Sequence, residues 1–465
     1  PHDNLSLQEM YVKDNKIIAV FSEYDLSTYS AEYSNEVKCY AYESARLVVK
    51  IYDVADKDAP KMIKSFKQDG TYISSRMVDN NLYVVSNYTV NLGQKDKNLK
   101  ESCIPTTTKD DKKTSRVSAD DIYMLPSVDI NSYTIVSGID IDNEKKDPKT
   151  KAVLGGANDV YCTKDSLYAA RIVYNQSVLL NECKTEIYKF SLSNGDITFS
   201  NKGEVMGYAI NQFSLDEHNG YLRIATTQSR TSQGSNIFIL DKTLNIVGSI
   251  RNIAKNESIQ SVRFSGDKGY VVTFEQIDPL FVIDLANPKS PKILGELKIP
   301  GFSSYLHMYS DNLLIGVGTN ADLEGRQNGL KISLFDISDS ANPKELDSLV
   351  FSGYVSPAQH QHKAFMISKS HGLFGIPVEK YVDPMDYEYS FLTFRVEGNK
   401  LEIASRYINQ KNVAADNARY SEGYDSYQWS VKRSIYIKDT LYLYSDLMLK
   451  AFSLKTHEYL NQISL

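Results

Sequence analysis

Several features that common classes of function depend on are scarce in this 465-residue chain. It has one tryptophan, Trp429, and four cysteines without a CxxC pair, so a zinc site built from cysteines is not expected. No run of 18 apolar residues occurs, so no segment is expected to span a membrane. The net charge of −6 gives nucleic-acid binding no electrostatic basis.

Motifs of catalysis and metal binding are also missing. The sequence contains no G-x-S-x-G, no H-E-x-x-H and no P-loop. His360 and His362 form an H-x-H pair without an identifiable third ligand. Asp140, Asp142 and Asn143 resemble a calcium loop but lack its glycine and its distal glutamate. We therefore predict no cofactor and no metal.

The chain instead consists of short β-branched and aromatic runs closed by turns. Residues 260–300 contain four such runs, QSVRF, YVVTF, LFVIDL and KILGELKI. SGDKG separates the first two runs, and its Gly and Asp tolerate the positive φ of tight hairpins. ANPKSP separates the last two, where proline cannot donate to a central strand. This pattern predicts a four-stranded antiparallel meander.

Copies of this meander recur along the chain, whereas helical periodicity is nearly absent. Strand–turn–strand hairpins begin at Met10, Ser75, Asp159, Gln212, Ser261, Tyr305, His362 and Ser434. Four-stranded units can cover their faces and edges by packing around an axis, which is the architecture of a β-propeller. We predict an all-β, single-domain propeller over residues 1–465, with eight blades of four antiparallel strands. Seven blades are the alternative.

Long insertions fall at about 22–45, 89–131 and 407–432. In a propeller these connections emerge on one face and the short turns on the other, so we expect a loop-rich binding face. Solvated decoration is the alternative, and the Lys/Asp/Thr-rich part of 89–131 is expected to be mobile. Trp429, Tyr424 and Tyr427 are the candidate contact residues of this face.

Two of the predicted loops carry cysteines. Cys39 and Cys103 fall in loops of neighbouring blades, which favours a disulfide between them. A bridge between Cys103 and Cys183 is the second possibility.

Alignment of the inner strands on their turns brings a set of polar residues into register: Tyr11, Arg76, Tyr161, Ser214, Arg263, His307 and Lys363. The basic members, together with His362 beside Lys363, predict an electropositive ring that binds an anion or a carboxylate. Alternatively, these residues pair with neighbouring acids or waters and plug the central channel.

Residues 261–307, beginning SVRFSGDKGYVVTF and continuing through LFVIDLANPKSPKILGELKIP, closely resemble a bacterial and archaeal family of secreted β-propeller domain proteins. NGLKISLFDISDSANPKELD, HKAF and VKIYDVADKDAPKMIKSF extend the resemblance to this family, which is distantly related to WD-repeat propellers. The resemblance implies export, often with a membrane anchor upstream, and a fold used mainly for binding. Family members usually have one more hairpin before the point where Pro1 begins.

We therefore expect a secreted or cell-surface, non-enzymatic propeller that presents its loop-rich face to a protein, peptide or glycan. Export agrees with the loop cysteines, since disulfides persist outside the cell. The alternative is a hydrolase or lyase at the channel mouth that uses His307, His362 and Arg263. A structural spacer without a ligand is the third possibility.

Overall fold

The computed structural model describes residues 4–29, 39–90, 103–124, 131–174, 183–228, 234–274, 278–322, 324–383, 386–411 and 426–465. Within these ranges the side chains of 25–29, 39–44, 278, 381–383, 386, 411 and 426–427 are not described. The chain divides into two compact units. The N-terminal unit comprises Pro1–Leu222 and Leu240–Asn245, and the C-terminal unit comprises Arg223–Ile239 and Ile246–Leu465.

Strands dominate both units. The first four sheets are built from β1 (Leu5–Lys13), β2 (Lys16–Tyr29), β3 (Cys39–Asp53), β4 (Lys61–Asp69), β5 (Thr71–Val78), β6 (Asn81–Thr89), β7 (Thr106–Lys109), β8 (Lys113–Arg116), β9 (Ile122–Tyr123), β10 (Ser132–Asp140), β11 (Lys149–Leu154), β12 (Asp159–Cys162), β13 (Ser166–Tyr174), β14 (Cys183–Ser193), β15 (Asp196–Met206), β16 (Leu215–His218), β17 (Tyr221–Thr227), β18 (Ser235–Leu240) and β19 (Ile246–Ile253).

The last four sheets are built from β20 (Ser258–Ser265), β21 (Lys268–Phe274), β22 (Asp278–Asp284), β23 (Lys292–Ile299), β24 (Phe302–Met308), β25 (Leu313–Ala321), β26 (Gln327–Asp336), β27 (Lys344–Ser352), β28 (Tyr354–Val355), β29 (Met366–Ser368), β30 (Leu373–Asp383), β31 (Asp386–Glu397), β32 (Lys400–Lys411), β33 (Arg433–Ile437), β34 (Thr440–Tyr444), β35 (Met448–Ser453) and β36 (Tyr459–Ser464). The helical segments of the described residues are short 3-10 turns at Ala119–Asp121, Gln212–Ser214, Pro357–Gln359, His362–Ala364 and Ser426–Trp429.

These strands form eight sheets, each with a four-stranded antiparallel meander at its centre. The fifth sheet has the order β20-β21-β22-β23, and the sixth and eighth repeat it with β24 to β27 and β33 to β36. The first sheet adds β7 and β8 beyond β4, the second adds β9 beside β11, and the seventh adds the short β28. This confirms the predicted fold class, an all-β propeller with eight blades, over the alternative with seven.

The middle strands of the sheets are buried over continuous runs, as in β6, β18 and β26. In the second and third sheets Tyr83, Val136, Leu167 and Phe190 are almost fully buried and pack in one cluster. The turns between inner strands follow the prediction, since Asp14 and Asp79 adopt φ values of 52° and 50°. A short polar side chain tolerates this left-handed conformation, which explains the K-D-N and D-N-N turns.

Two glycines allow consecutive sheets of the C-terminal unit to approach closely. A Cβ on Gly248 would lie 2.1 Å from the carbonyl oxygen of Pro288, and one on Gly295 would lie 2.5 Å from that of Ala341. Both glycines occupy the outer strand of one sheet, opposite the proline-containing turn of the next. The outer strand therefore needs glycine because another backbone passes directly over it.

The predicted insertions contain more strand than expected. Residues 22–29 and 39–45 continue the β2–β3 ladder. Within 89–131, two stretches were expected to be mobile. Residues 106–116 form the β7–β8 hairpin, which pairs with β4, and residues 92–102 lie outside the described residues. Asp110 and Asp111, with φ of 49° and 52°, lie in its three-residue turn, 110–112. Continued pairing satisfies the backbone N–H and C=O groups that a bare loop would leave to water.

Candidate functional site

A recurrent β-bulge places the polar residues of the inner strands. The pairing register shifts between Leu7 and Glu9, Tyr72 and Ser74, Ile259 and Ser261, and Ser303 and Tyr305. Two residues after each shift come Tyr11, Arg76, Arg263 and His307, respectively. A bulge re-aims the side chains that follow it, so these four blades place one residue each at equivalent positions. Sequence alignment found these positions but not the bulge.

In the C-terminal unit this position carries Arg263 and His307. Val262 and Leu306, one residue earlier, are buried at 3% and 1% exposure, so the basic side chains lie on the opposite side of the strand. His307 Nδ1 lies 3.1 Å from Tyr305 Oη, and the imidazole stacks on Phe365 with centroids 4.6 Å apart. Burial lowers the pKa of His307 to about 4, and the cations Arg263 and Lys369 contribute. The imidazole is therefore neutral at pH 7.

Lys363 is a second basic group whose pKa is lowered. Burial lowers the pKa of Lys363 to about 8, and the neighbouring charge of Arg433 contributes. The charged groups that help to lower the pKa values of His307 and Lys363 are thus themselves cations. We call Arg263, His307, Lys363 and Arg433 the basic cluster of the C-terminal unit.

The structure corrects the prediction that His362 and Lys363 lie on an inner strand. His362–Ala364 is a 3-10 turn, and the inner strand β29 is only three residues long. The His362–Ala364 turn comes shortly after another 3-10 turn, Pro357–Gln359. In that turn Ser356 and Gln359 form a capping box, and proline takes the first position. These local signals favour a helical start, which shortens the strand.

Arg433 was missed because the turn alignment assigned the eighth position to Ile435. Both residues belong to β33 and lie two apart, so they share a face. Arg433 pairs with Tyr444 and Ile435 with Tyr442. Ile435 is 57% exposed, whereas Arg433 is half-buried beside Lys363. The Lys432–Arg433 pair at the start of the strand was the available signal.

In the N-terminal unit the equivalent residues are engaged by neighbouring polar groups. Arg76 donates to Ser74 Oγ at 2.9 Å, to the Ser75 carbonyl at 2.7 Å and to Gln212 Oε1 at 2.5 Å. Tyr11 Oη lies 2.9 Å from Ser75 Oγ. Arg76 thus has neutral polar partners, and its part in anion binding stays a prediction.

Two further ring positions in the N-terminal unit have polar partners as well. The Glu217 N–H donates to Tyr161 Oη at 3.1 Å. Ser214 lies in a 3-10 turn rather than on a strand, where its Oγ accepts from the Ile210 N–H at 3.3 Å.

The structure describes only some of the predicted loop-face residues. Trp429 ends a 3-10 turn, is half-buried, and accepts a hydrogen bond at its carbonyl from Asn409 Nδ2 at 2.7 Å. Next to it, Ser430 donates to Glu379, whose pKa is raised by burial. Tyr424 lies outside the described residues, as does the side chain of Tyr427. Whether these aromatic residues form one surface therefore stays a prediction.

The predicted disulfide is not formed in the structure. Cys103 is a free cysteine, and the side chain of Cys39 lies outside the described residues. Cys162 is unbridged as well, and its Sγ donates to the Thr163 carbonyl.

The segment that resembles a calcium loop, beginning at Asp140, accepts hydrogen bonds from a lysine. The ammonium group of Lys64, a residue only 3% exposed, donates to the carbonyl oxygens of Asp140, Asn143 and Lys146 at 3.0–3.1 Å. A metal cation bound by this segment would be coordinated by the same carbonyl oxygens. The Lys64 ammonium group therefore occupies the position that such a cation would take. Within the part of the chain that the structure describes, no group of three or more His, Cys, Asp or Glu side chains could hold a metal ion.

Comparison with known proteins agrees with the fold. A family model described as "Beta propeller domain" matches residues 2–457. An uncharacterized protein of Methanocaldococcus jannaschii is 40% identical over 265 residues, which is 56% of this chain and 37% of the relative. An uncharacterized protein of Archaeoglobus fulgidus is 46% identical over 194 residues, 42% of this chain and 30% of the relative. The matches thus span about a third of these relatives' length.

The solved structures that resemble this chain include two of low sequence identity. Apo AztD from Citrobacter koseri has a TM-score of 0.38 at 12% identity, covering 90% of this chain and 92% of its own. The C-terminal WD40 domain of Sif2 has a TM-score of 0.36 at 9% identity, covering 67% and 73%. Among the described residues, no helix is long and apolar enough to cross a membrane.

Proposed function

The chain belongs to the β-propeller domain family, and we propose that its basic cluster is a non-enzymatic site that binds a carboxylate group of a peptide or glycan. The observation that carries this proposal is that His307 and Lys363 are both buried and that each is also repelled by nearby cations. The pKa values of His307 and Lys363 are both lowered, and the neighbouring charges that contribute, Arg263, Lys369 and Arg433, are cations.

An anion would relieve this repulsion. Its charge would interact favourably with several cations at once, in surroundings less polar than water because the aromatic rings of Tyr305 and Phe365 line one side. Arginine is the donor best suited to a carboxylate, since its guanidinium can bind both oxygens. Binding should therefore be coupled to proton uptake by His307 and Lys363.

The same geometry disfavours the hydrolase or lyase alternative. General-base catalysis is most efficient when the pKa of the base lies near the working pH. His307, with a pKa of about 4, is a weak base at neutral pH, and its Nδ1 already contacts Tyr305 Oη. His362 lies in a 3-10 turn rather than on the strand where sequence analysis expected it.

A secreted or cell-surface location remains part of this proposal. It is supported by the family resemblance of residues 261–307, and cell fractionation of the native host would test it. Recovery only with cytoplasmic markers would contradict it.

Calorimetric titration with citrate as the carboxylate probe tests the proposed site. We expect Arg263→Gln to weaken citrate binding about 10- to 100-fold, since a hydrogen bond to a charged group contributes about 1.5–3 kcal/mol. Arg326→Gln is the matched control, because Arg326 is 77% exposed and pairs with Asp322 on a different hairpin. Equal citrate affinity in the two variants, or no citrate binding by the wild-type protein, would refute the proposal.

A second measurement tests whether His307 takes up a proton when the anion binds. The imidazole resonances of His307, assigned by comparison with His307→Phe, should titrate at higher pH when citrate is present. An unchanged titration in saturating citrate would show that the anion binds elsewhere.

A further inference from the structure

A serine–histidine–aspartate arrangement lies on two adjacent turns of the C-terminal unit. Ser370 and His371 belong to the turn between β29 and β30, and Asp439 belongs to the turn between β33 and β34. His371 Nδ1 lies 3.2 Å from Ser370 Oγ and 2.8 Å from Ser368 Oγ. On the other side of the ring, His371 Nε2 lies 3.2 Å from Asp439 Oδ1.

The partners of the imidazole define its tautomer. Asp439 also accepts from Lys455 Nζ at 2.6 Å, and its pKa is lowered by Lys455 and His371, so the carboxylate is ionised and can only accept. His371 Nε2 therefore donates to Asp439. Nδ1 faces the hydroxyls of Ser368 and Ser370, and this order of serine, histidine and carboxylate is the relation between nucleophile, base and orienting group found in activated serines.

Burial decides which serine can react. Ser368 is 0% exposed, so no substrate can reach its hydroxyl. Ser370 is exposed at the tip of the turn. The imidazole itself is held in place, because its ring packs edge-on against Tyr436 with centroids 5.5 Å apart.

We propose that Ser370 is an activated nucleophile toward acyl esters, with His371 as the general base and Asp439 as the residue that positions it. Ser370 Oγ forms a bond to the acyl carbon while the bond from that carbon to the leaving oxygen breaks. The Oγ proton passes to His371 Nδ1 and then to the leaving alkoxide. Water, deprotonated by the same nitrogen, then attacks the acyl carbon; the bond from that carbon to Ser370 Oγ breaks, His371 Nδ1 returns the proton to Oγ, and the acid is released.

This activity is independent of the proposed carboxylate site. Its residues lie on turns between strands, and none of them belongs to the basic cluster. A failure of either proposal would therefore leave the other standing.

A fluorophosphonate probe tests the nucleophile directly, since the serine displaces fluoride and keeps the phosphonyl group. We expect mass spectrometry to locate the adduct on Ser370, and Ser370→Ala to abolish it. Ser310→Ala is the matched control, because Ser310 is exposed on the corresponding hairpin turn of the sixth sheet without a histidine beside it. The control should be labelled like the wild type.

The roles of the other two residues have separate readouts. His371→Gln should slow labelling about 100-fold or more, in keeping with the 10²–10⁴-fold contribution of a general base. Asp439→Asn should slow it less, and Asp439→Glu should restore it. p-Nitrophenyl acetate hydrolysis should follow the same order.

Three outcomes would overturn the proposal. The wild-type protein could remain unlabelled, the adduct could map to another serine, or His371→Gln could be labelled as fast as the wild type. Thermal unfolding of each variant shows whether a loss of labelling reflects a loss of fold.

Discussion

The same inner-strand position has opposite surroundings in the two units. Arg76 in the N-terminal unit donates to a serine hydroxyl, a backbone carbonyl and a glutamine side chain. His307 in the C-terminal unit stacks on Phe365, and the charges that shift its pKa are cations. Both residues come two positions after a bulge, so they occupy equivalent backbone positions.

The difference therefore comes from neighbouring strands and turns. Gln212, from a 3-10 turn of the same unit, gives Arg76 a neutral acceptor. Lys369 and Arg263 give His307 positive neighbours instead. A repeat thus fixes where a side chain lies, while the insertions and turns of adjacent blades decide what it can bind.

The largest expected effect concerns the aromatic support of the basic cluster. Phe374 is fully buried between Phe365, at 5.7 Å, and Phe394, at 5.0 Å. Phe374→Ala should lower the free energy of unfolding by about 3–5 kcal/mol, because it leaves a cavity under the ring on which His307 stacks. Urea denaturation measures this change.

The N-terminal unit offers the control for that variant. Tyr83→Phe removes only the hydrogen bond between the Gly195 N–H and Tyr83 Oη at 3.0 Å, which should cost about 1 kcal/mol. Equal losses in the two variants would mean that the aromatic stack adds no special stability to the C-terminal unit.

The next effect tests the buried cation of the N-terminal unit. Lys64→Met should lower the free energy of unfolding by about 1.5–3 kcal/mol, because three backbone carbonyls lose a charged donor. Lys149→Met, at an exposed position on β11, should change it by less than about 0.5 kcal/mol. Restored stability on adding calcium to Lys64→Met would show that the segment can take a metal ion once the ammonium is removed.

Much of the fold followed from local signals in the sequence. Positive-φ turns at Asp14 and Asp79 and proline turns between outer strands identified the meanders, because each depends on a few adjacent residues. The β7–β8 hairpin was missed although Asp110 and Asp111 form an equally local turn. Its charged composition suggested mobility, and its pairing with β4 is a long-range contact that composition does not report.

The candidate site was less accessible from sequence. Alignment on turns found Arg263 and His307, since both lie at a fixed distance from a short hairpin. It misplaced His362 and Lys363, where a capping box at Ser356 replaces part of the strand with 3-10 turns. It also missed Ser370, His371 and Asp439, because the last residue is 68 positions from His371 and only the packing of two blades joins them.

A smaller effect concerns pH. The pKa of His307 is about 4 in the folded protein, against 6.5 for the ordinary group. Between these values the unfolded chain binds a proton that the folded chain excludes, so stability falls as the pH drops from 6.5 to 4. His307→Phe should flatten this part of the stability curve, measured by urea denaturation at several pH values.

Lys363→Met provides the contrast on the alkaline side. The pKa of Lys363 is about 8, against 10.5 ordinarily, so the unfolded chain holds an extra proton between these values and stability rises with pH there. The variant should flatten this alkaline part and leave the acid part unchanged. An unaltered acid branch in His307→Phe would contradict the burial of a neutral imidazole.

The smallest effect is expected at Arg76, and it tests the comparison itself. Arg76 is half-buried, unlike the buried Lys64, so the loss of its hydrogen bonds in Arg76→Gln should lower the free energy of unfolding by only about 1 kcal/mol. The variant should leave citrate affinity within about twofold of the wild type, whereas Arg263→Gln should weaken it at least about tenfold. If both variants weakened citrate binding equally, the equivalent positions of the two units would share one function, and the polar partners of Arg76 would not distinguish it from Arg263.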